Sequence, residues 1–159
     1  MIALSLLVAV VGTAALAFFW QQDRHLPGRI EAGTVAEIES AEVVYLPDHR
    51  VFVVATDGEF QAFSDDSRHN GDRVLYCAND QTFSSPLHGE RFDLLGRYVG
   101  GPASGDLGHY PVMVAGNQVV VDVSDGAARP DRSAVSDYPT GSSCRGLEGP
   151  PGFYEDGTK

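Results

Sequence analysis

Basic side chains are in short supply here: Lys and Arg number 11 against 22 Asp and Glu, leaving a formal charge of −11. A surface of that balance repels phosphate, which excludes nucleic acid and anionic lipid as partners and favours simple solubility as the role of the charge. Cysteine is scarcer still, with Cys77 and Cys144 alone, so the chain can close no more than one disulfide. An even pair suits an oxidised bridge in an extracytoplasmic compartment, and two reduced, buried thiols are the other possibility. Catalytic signatures are missing as well. There is no nucleophile–base pair, no phosphate-cradling glycine loop and no pair of carboxylates at a defined spacing. The Ser67-x-His69 step lacks the strained elbow of a hydrolase.

What is present begins with an uncharged run of 19 residues, Ile2 to Trp20. At helical rise it spans roughly 28 Å, close to the hydrocarbon thickness of a bilayer. Ala15-Leu16-Ala17 has the small-x-small form of a signal-peptide cleavage site, but no Lys or Arg precedes the run, so a retained transmembrane helix over 1–20 is expected. Trp20 suits the headgroup region, and Gln21 to Arg24 form the solvated flank. Ser5, Ala9, Thr13 and Ala17 recur every fourth position, a small-residue stripe that fits helix packing in lipid. Orientation is weakly encoded, because Arg24 and Arg29 are offset by Asp23. The cysteine pair places the following domain on the extracytoplasmic side.

Beyond the anchor, 18 Gly and 9 Pro favour many turns and a mostly β domain. A linker and first segment occupy 21–41, with Gln21 to Gly33 broken by Pro27-Gly28. Glu42 to Pro47, Arg50 to Thr56 and Glu59 to Asp65 read as strands joined at Asp48-His49 and Asp57-Gly58, an antiparallel meander. Tyr110 to Ala115 and Gln118 to Ser124 read as a terminal hairpin about Gly116-Asn117. Between these units, Asp66 to His109 is interrupted throughout by Gly, Pro, Asn, Asp and Ser and reads as a loop-built subdomain. Residues 125–159 form a Gly/Pro-rich tail without periodicity, of a composition that needs an outside hold to stay ordered.

Two segments of that middle region carry a resemblance. Ser67-Arg68-His69 and Ser85-Pro86-Leu87-His88-Gly89 are separated, from His69 to Ser85, by fifteen residues. Phe92-Asp93, Gly96-Arg97, Gly101-Pro102-Ala103, Leu107 and Tyr110-Pro111-Val112 follow in order. The series resembles the Rieske family over 42–124, whose Cys-x-His and Cys-Pro-x-His-Gly boxes hold a [2Fe–2S] cluster. The resemblance implies an antiparallel β domain with a loop-built cluster-binding subdomain. It also implies that Ser67 and Ser85 stand at the thiolate positions and His69 and His88 at the imidazole positions.

In that family two thiolates hold one iron and two imidazoles the other. A serine hydroxyl is a harder and far less acidic donor than a thiol. No cofactor is therefore expected, with a 2Fe–2S cluster only if the serines prove competent. A single metal ion on His69 and His88, with Asp66 or Asp72 as a third ligand, is a second possibility, and histidines kept as hydrogen-bonding fillers a third. The family's cluster-shielding disulfide would need cysteine at Asp72 and Leu87. Cys77 instead resembles an extra cysteine of some bacterial Rieske-like sequences, for which a tail cysteine, here Cys144, is the natural partner.

Two functions follow as expectations. One is a cluster-free structural or accessory subunit of a membrane electron-transfer or photosynthetic complex, with other membrane-protein subunits as partners and no catalytic activity of its own. The other is a Rieske-type electron-transfer protein, like a quinol–cytochrome c reductase component, with an unusual iron or other metal centre.

Overall fold

The computed structural model describes residues 28–133. The transmembrane run, the small-residue stripe and Cys144 lie outside the described residues. No helix among those described is long and apolar enough to cross a membrane.

Among the described residues, eleven short strands build three antiparallel sheets, accompanied by one α-helix and a 3-10 turn at Pro47–His49. The meander forms as read: β2 (Val43–Leu46), β3 (Val51–Thr56) and β4 (Glu59–Ser64) pair in sequence, with β9 (His109–Tyr110) added to the edge of β4. Asp57 and Gly58 both take positive φ, +52° and +80°, as a tight hairpin twisted to match its strands requires. The terminal hairpin joins β10 (Val112–Ala115) to β11 (Gln118–Asp122) through Gly116 at φ +67°.

The first element is a strand rather than linker. β1 (Arg29–Thr34) pairs antiparallel with β11 and so completes a three-stranded sheet, β1-β11-β10. Its partner lies some ninety residues away in the chain, which is why local pattern gave no sign of it. Helix α1 (Val35–Ala41) follows at once. Thr34 and Glu37 form a reciprocal capping box, and Ile38 is its one buried side chain.

Within its loops the middle region also carries a small sheet. β5 (Leu75–Cys77), β6 (Thr82–Ser84), β7 (Arg91–Phe92) and β8 (Tyr98–Gly100) make a four-stranded sheet of two- and three-residue strands. Strands so short leave no periodicity to read.

β3 explains the packing. Val51 and Val53 point to one side, where they meet Ala62, Ile38, Val119 and Val121. Phe52 and Val54 point to the other, against Phe63, Val74, Phe83, Phe92, Ala103 and Leu107. A strand buried on both faces must be apolar at successive positions, as Val51 to Val54 are. Phe83 stands at the junction of two sheets, with ring centroids 4.9 Å from Phe52, 6.0 Å from Phe63 and 5.4 Å from Tyr76. At roughly 25 cal/mol per Å² of apolar surface, each such ring contributes several kcal/mol.

After β11 the chain turns back over the subdomain. His109 and Ala128 exchange backbone hydrogen bonds at 2.8 Å. Arg129 pairs with Asp66 at 2.7 Å, Arg68 donates to the Pro130 carbonyl, and Arg132 donates to the Ala103 carbonyl at 3.0 Å while lying 4.0 Å from the Tyr98 ring. The tail as far as Ser133 is thus held by the domain itself.

Candidate metal centre

Two loops converge at one end of the β5–β8 sheet. The first leaves β4, turns at Asn70-Gly71, both at positive φ, and enters β5; it carries Ser67, His69 and Asp72. Backbone bonds from Ser67 N to Asp72 O (2.7 Å) and from Asp72 N to His69 O (3.0 Å) close it. The second joins β6 to β7 and carries Ser85, His88 and Glu90. It closes through Ser85 N to Glu90 O (2.9 Å) and Gly89 N to Ser85 O (3.1 Å).

Beneath the first loop lies a buried polar network. Asp65, fully buried, accepts from Tyr45 Oη at 2.7 Å, Arg50 Nε at 3.0 Å and Arg73 Nε at 2.9 Å. A buried carboxylate is tolerable only when its lone pairs are met this way. Burial, followed by the hydrogen bond to Asp65, pushes the Tyr45 phenol up to about 12. The network anchors Asp65, two residues before Ser67.

All four residues singled out by the resemblance come together. The rings of His69 and His88 meet edge to face, with centroids 5.1 Å apart. Ser67 and Ser85 are buried beside them. Ser85 Oγ donates to Asp72 Oδ2 and accepts from the amides of Leu87 and His88, each at 3.2 Å. Ser67 Oγ donates to Glu90 Oε1 at 3.2 Å. Asp72 Oδ2 also lies 3.0 Å from His88 Nδ1, and Asn70 Nδ2 lies 3.2 Å from His69 Nε2.

The acidic residues fall differently from expectation. Asp66 pairs with Arg129, and Asp72 is engaged by Ser85 and His88. The carboxylate that reaches both histidines is Glu90. One ligand atom from each of His69, His88 and Glu90 lies within 4.8 Å of the other two. Glu90 is completely buried, and its Oε2 has no hydrogen-bond partner among the described residues. Glu90 occupies no position of either box and so carries no mark in the sequence resemblance. The signal available was alternation: Glu90 lies two residues before core Phe92, so a strand would turn both to one face. Gly101 holds the place open, since at φ +93° its missing Cβ would fall 2.6 Å from Glu90 Cα.

The residues present do not match the donor set of a Rieske centre, which needs two thiolates. At the positions the resemblance assigns to them stand two hydroxyls, already committed to Asp72, Glu90 and backbone amides. Cys77, the one cysteine among the described residues, belongs to β5 outside both boxes.

Fold, paired loops and facing histidines together define the class, and a family model described as "Rieske [2Fe-2S] domain" matches residues 29–111. The chain belongs to that family. It is 31% identical over 101 residues to the 3-phenylpropionate/cinnamic acid dioxygenase ferredoxin subunit of Escherichia coli (strain K12), covering 61% of this chain and 95% of that protein. The Shigella flexneri serotype 5b counterpart matches to the same extent. Among solved structures, the cyanobacterial plasma membrane Rieske protein PetC3 from Synechocystis PCC 6803 superposes with a TM-score of 0.51. The two are 30% identical, and the match covers 58% of this chain and 98% of that one.

Proposed function

We propose that this chain is a membrane-anchored Rieske-type subunit without a [2Fe–2S] cluster, serving as a structural or accessory component of a membrane electron-transfer or photosynthetic complex. The observation that carries the reading is the state of Ser85. Its hydroxyl bridges Asp72 and two backbone amides, so the side chain at the second thiolate position works as a loop brace. A soft iron–sulfur core gains little from hard alcohol donors, and here it would also break that brace.

The membrane setting rests on the uncharged run Ile2 to Trp20 and on the likeness to a protein described as a plasma membrane Rieske protein. The extracytoplasmic placement rests on the cysteine pair. Partners are taken to be other membrane-protein subunits, in keeping with ferredoxin-subunit relatives that are themselves parts of larger enzymes.

The test is iron and acid-labile sulfide analysis of the full chain purified in detergent, with electron paramagnetic resonance after reduction. Neither element should be present in stoichiometric amount, and no Rieske-type signal should develop. Iron and sulfide at two each per chain would overturn the reading. A second reading, an electron carrier with a different metal centre, draws support from the approach of His69, His88 and Glu90; a reversible metal-dependent wave in protein-film voltammetry would favour it.

A further inference from the structure

We infer that the end of the subdomain is a mononuclear site for one first-row divalent metal ion, held by His69, His88 and Glu90. The inference rests on the cluster-free reading above and deepens it, since a single ion needs neither thiolate nor sulfide.

Three observations converge on it. The first is the donor set: two imidazoles and one carboxylate suit Zn2+, Fe2+ and Co2+, and leave coordination positions for water. The ligand atoms lie within 4.8 Å of one another, whereas ligands about 2.1 Å from a tetrahedral ion stand about 3.4 Å apart. Ion binding has to draw the two loops and the ligand side chains together to close that difference, with Asp72 kept on His88 Nδ1.

The second is Glu90 itself. A carboxyl group with no exposed surface and one unpartnered oxygen has lost its hydration at that oxygen with nothing to replace it, unless a ligand meets it. Ser67 Oγ takes Oε1, which leaves Oε2 for a cation approaching from the histidine side. His88 and Glu90 share one loop and His69 belongs to the other, so the fold is what adds His69 to the set.

The third is the second layer. Asp72 stands against His88 Nδ1 at 3.0 Å and against Ser85, the way a carboxylate fixes the orientation of a metal-binding imidazole. Ser67 does the same for Glu90. The two serines, as hydroxyls, are suited to bracing ligands in a way that thiolates directed at iron would not be.

The experiment uses the full chain in detergent, stripped with chelator and titrated with Zn2+ and, for its visible absorption, with Co2+. One equivalent of each should bind, Co2+ should show ligand-field bands, and Zn2+ should displace it. Glu90→Gln and His88→Ala should each weaken binding at least tenfold. Thermal melts without metal check folding, and His88→Ala, at an exposed position, keeps the test alive if the buried Glu90→Gln variant does not fold. Binding unchanged in folded variants, or no uptake by a sulfide-free protein, overturns this inference alone. Stoichiometric acid-labile sulfide with iron overturns the cluster-free reading and this inference together.

Discussion

At position 85 the difference between oxygen and sulfur decides what the loop can do. The Ser85 hydroxyl both donates and accepts, which is how it holds Asp72 and the amides of Leu87 and His88 at once. A thiol is a weak donor and acceptor, so Ser67→Cys with Ser85→Cys would loosen the loops while supplying the missing soft ligands. We expect the double variant, reconstituted with iron and sulfide, to take up cluster at less than full occupancy, because the buried Glu90 carboxyl remains beside His69 and His88. Reconstituted absorption and sulfide content check it, and no uptake at all would mean that the loops lack cluster geometry. His109 offers a separate test. Burial pushes its imidazole below the ordinary value, against the weaker pull of Asp106, and its ring packs edge-on to Phe63 with centroids 4.9 Å apart. The fold favours the neutral ring, so this contribution is complete above about pH 6.5, the unfolded value, and is lost as pH falls through the lowered folded value. Urea midpoints should decline from pH 7.5 to 5, and less steeply in His109→Gln; equal slopes would remove His109 from the account.

Among the elements, the short β5–β8 sheet depends on packing rather than on its own hydrogen bonds. Phe83 supplies much of that packing, and Phe83→Ala should cost about 3–5 kcal/mol by denaturant titration. A smaller loss would mean that the sheet is held mainly by its loops. Turn geometry matters in the same way at Gly96, which sits at φ +70° with Phe63 ring atoms 2.7 Å from where a Cβ would go. Gly96→Ala adds a left-handed-backbone cost to a steric one and should destabilise by about 2–4 kcal/mol. An unchanged midpoint would show that the Phe63 ring gives way freely. β1 and the segment 125–133 carry a different lesson. Both lack strong local patterning, and both are ordered by partners far away in the chain, β11 for the first and the Asp66–Asp106 region for the second.

For the whole molecule, two expectations remain that involve residues outside those described. A Cys77–Cys144 disulfide would tie the tail to β5 and, by the chain-entropy model, would stabilise by about 4 kcal/mol. Peptide mass spectrometry without reduction should find the linked pair, and two alkylatable thiols would refute it. The stripe Ser5, Ala9, Thr13 and Ala17 is expected to seat the anchor against another helix. Ala9→Leu with Thr13→Leu should release the chain from its complex on native gels, and unchanged co-migration would dismiss the stripe.

The sequence by itself determined the meander, the terminal hairpin and the identity of the two loops. Continuous apolar runs such as Val51 to Val54, the Asp57-Gly58 turn and the ordered series from Ser85 to Val112 are local features that need no partner to be recognised. It also supplied the expectation, by resemblance, that Ser67 and Ser85 stand where the family carries its thiolates. Only the tertiary structure decided that β1 closes the β11 sheet, that two- and three-residue strands form a third sheet, and that Asp66 turns to Arg129. It alone brought His69 to the loop of His88 and Glu90. Strand pairing and ligand convergence join residues distant in the chain, and the free energy that selects them comes from burial and hydrogen bonding across that distance, which local propensity does not encode.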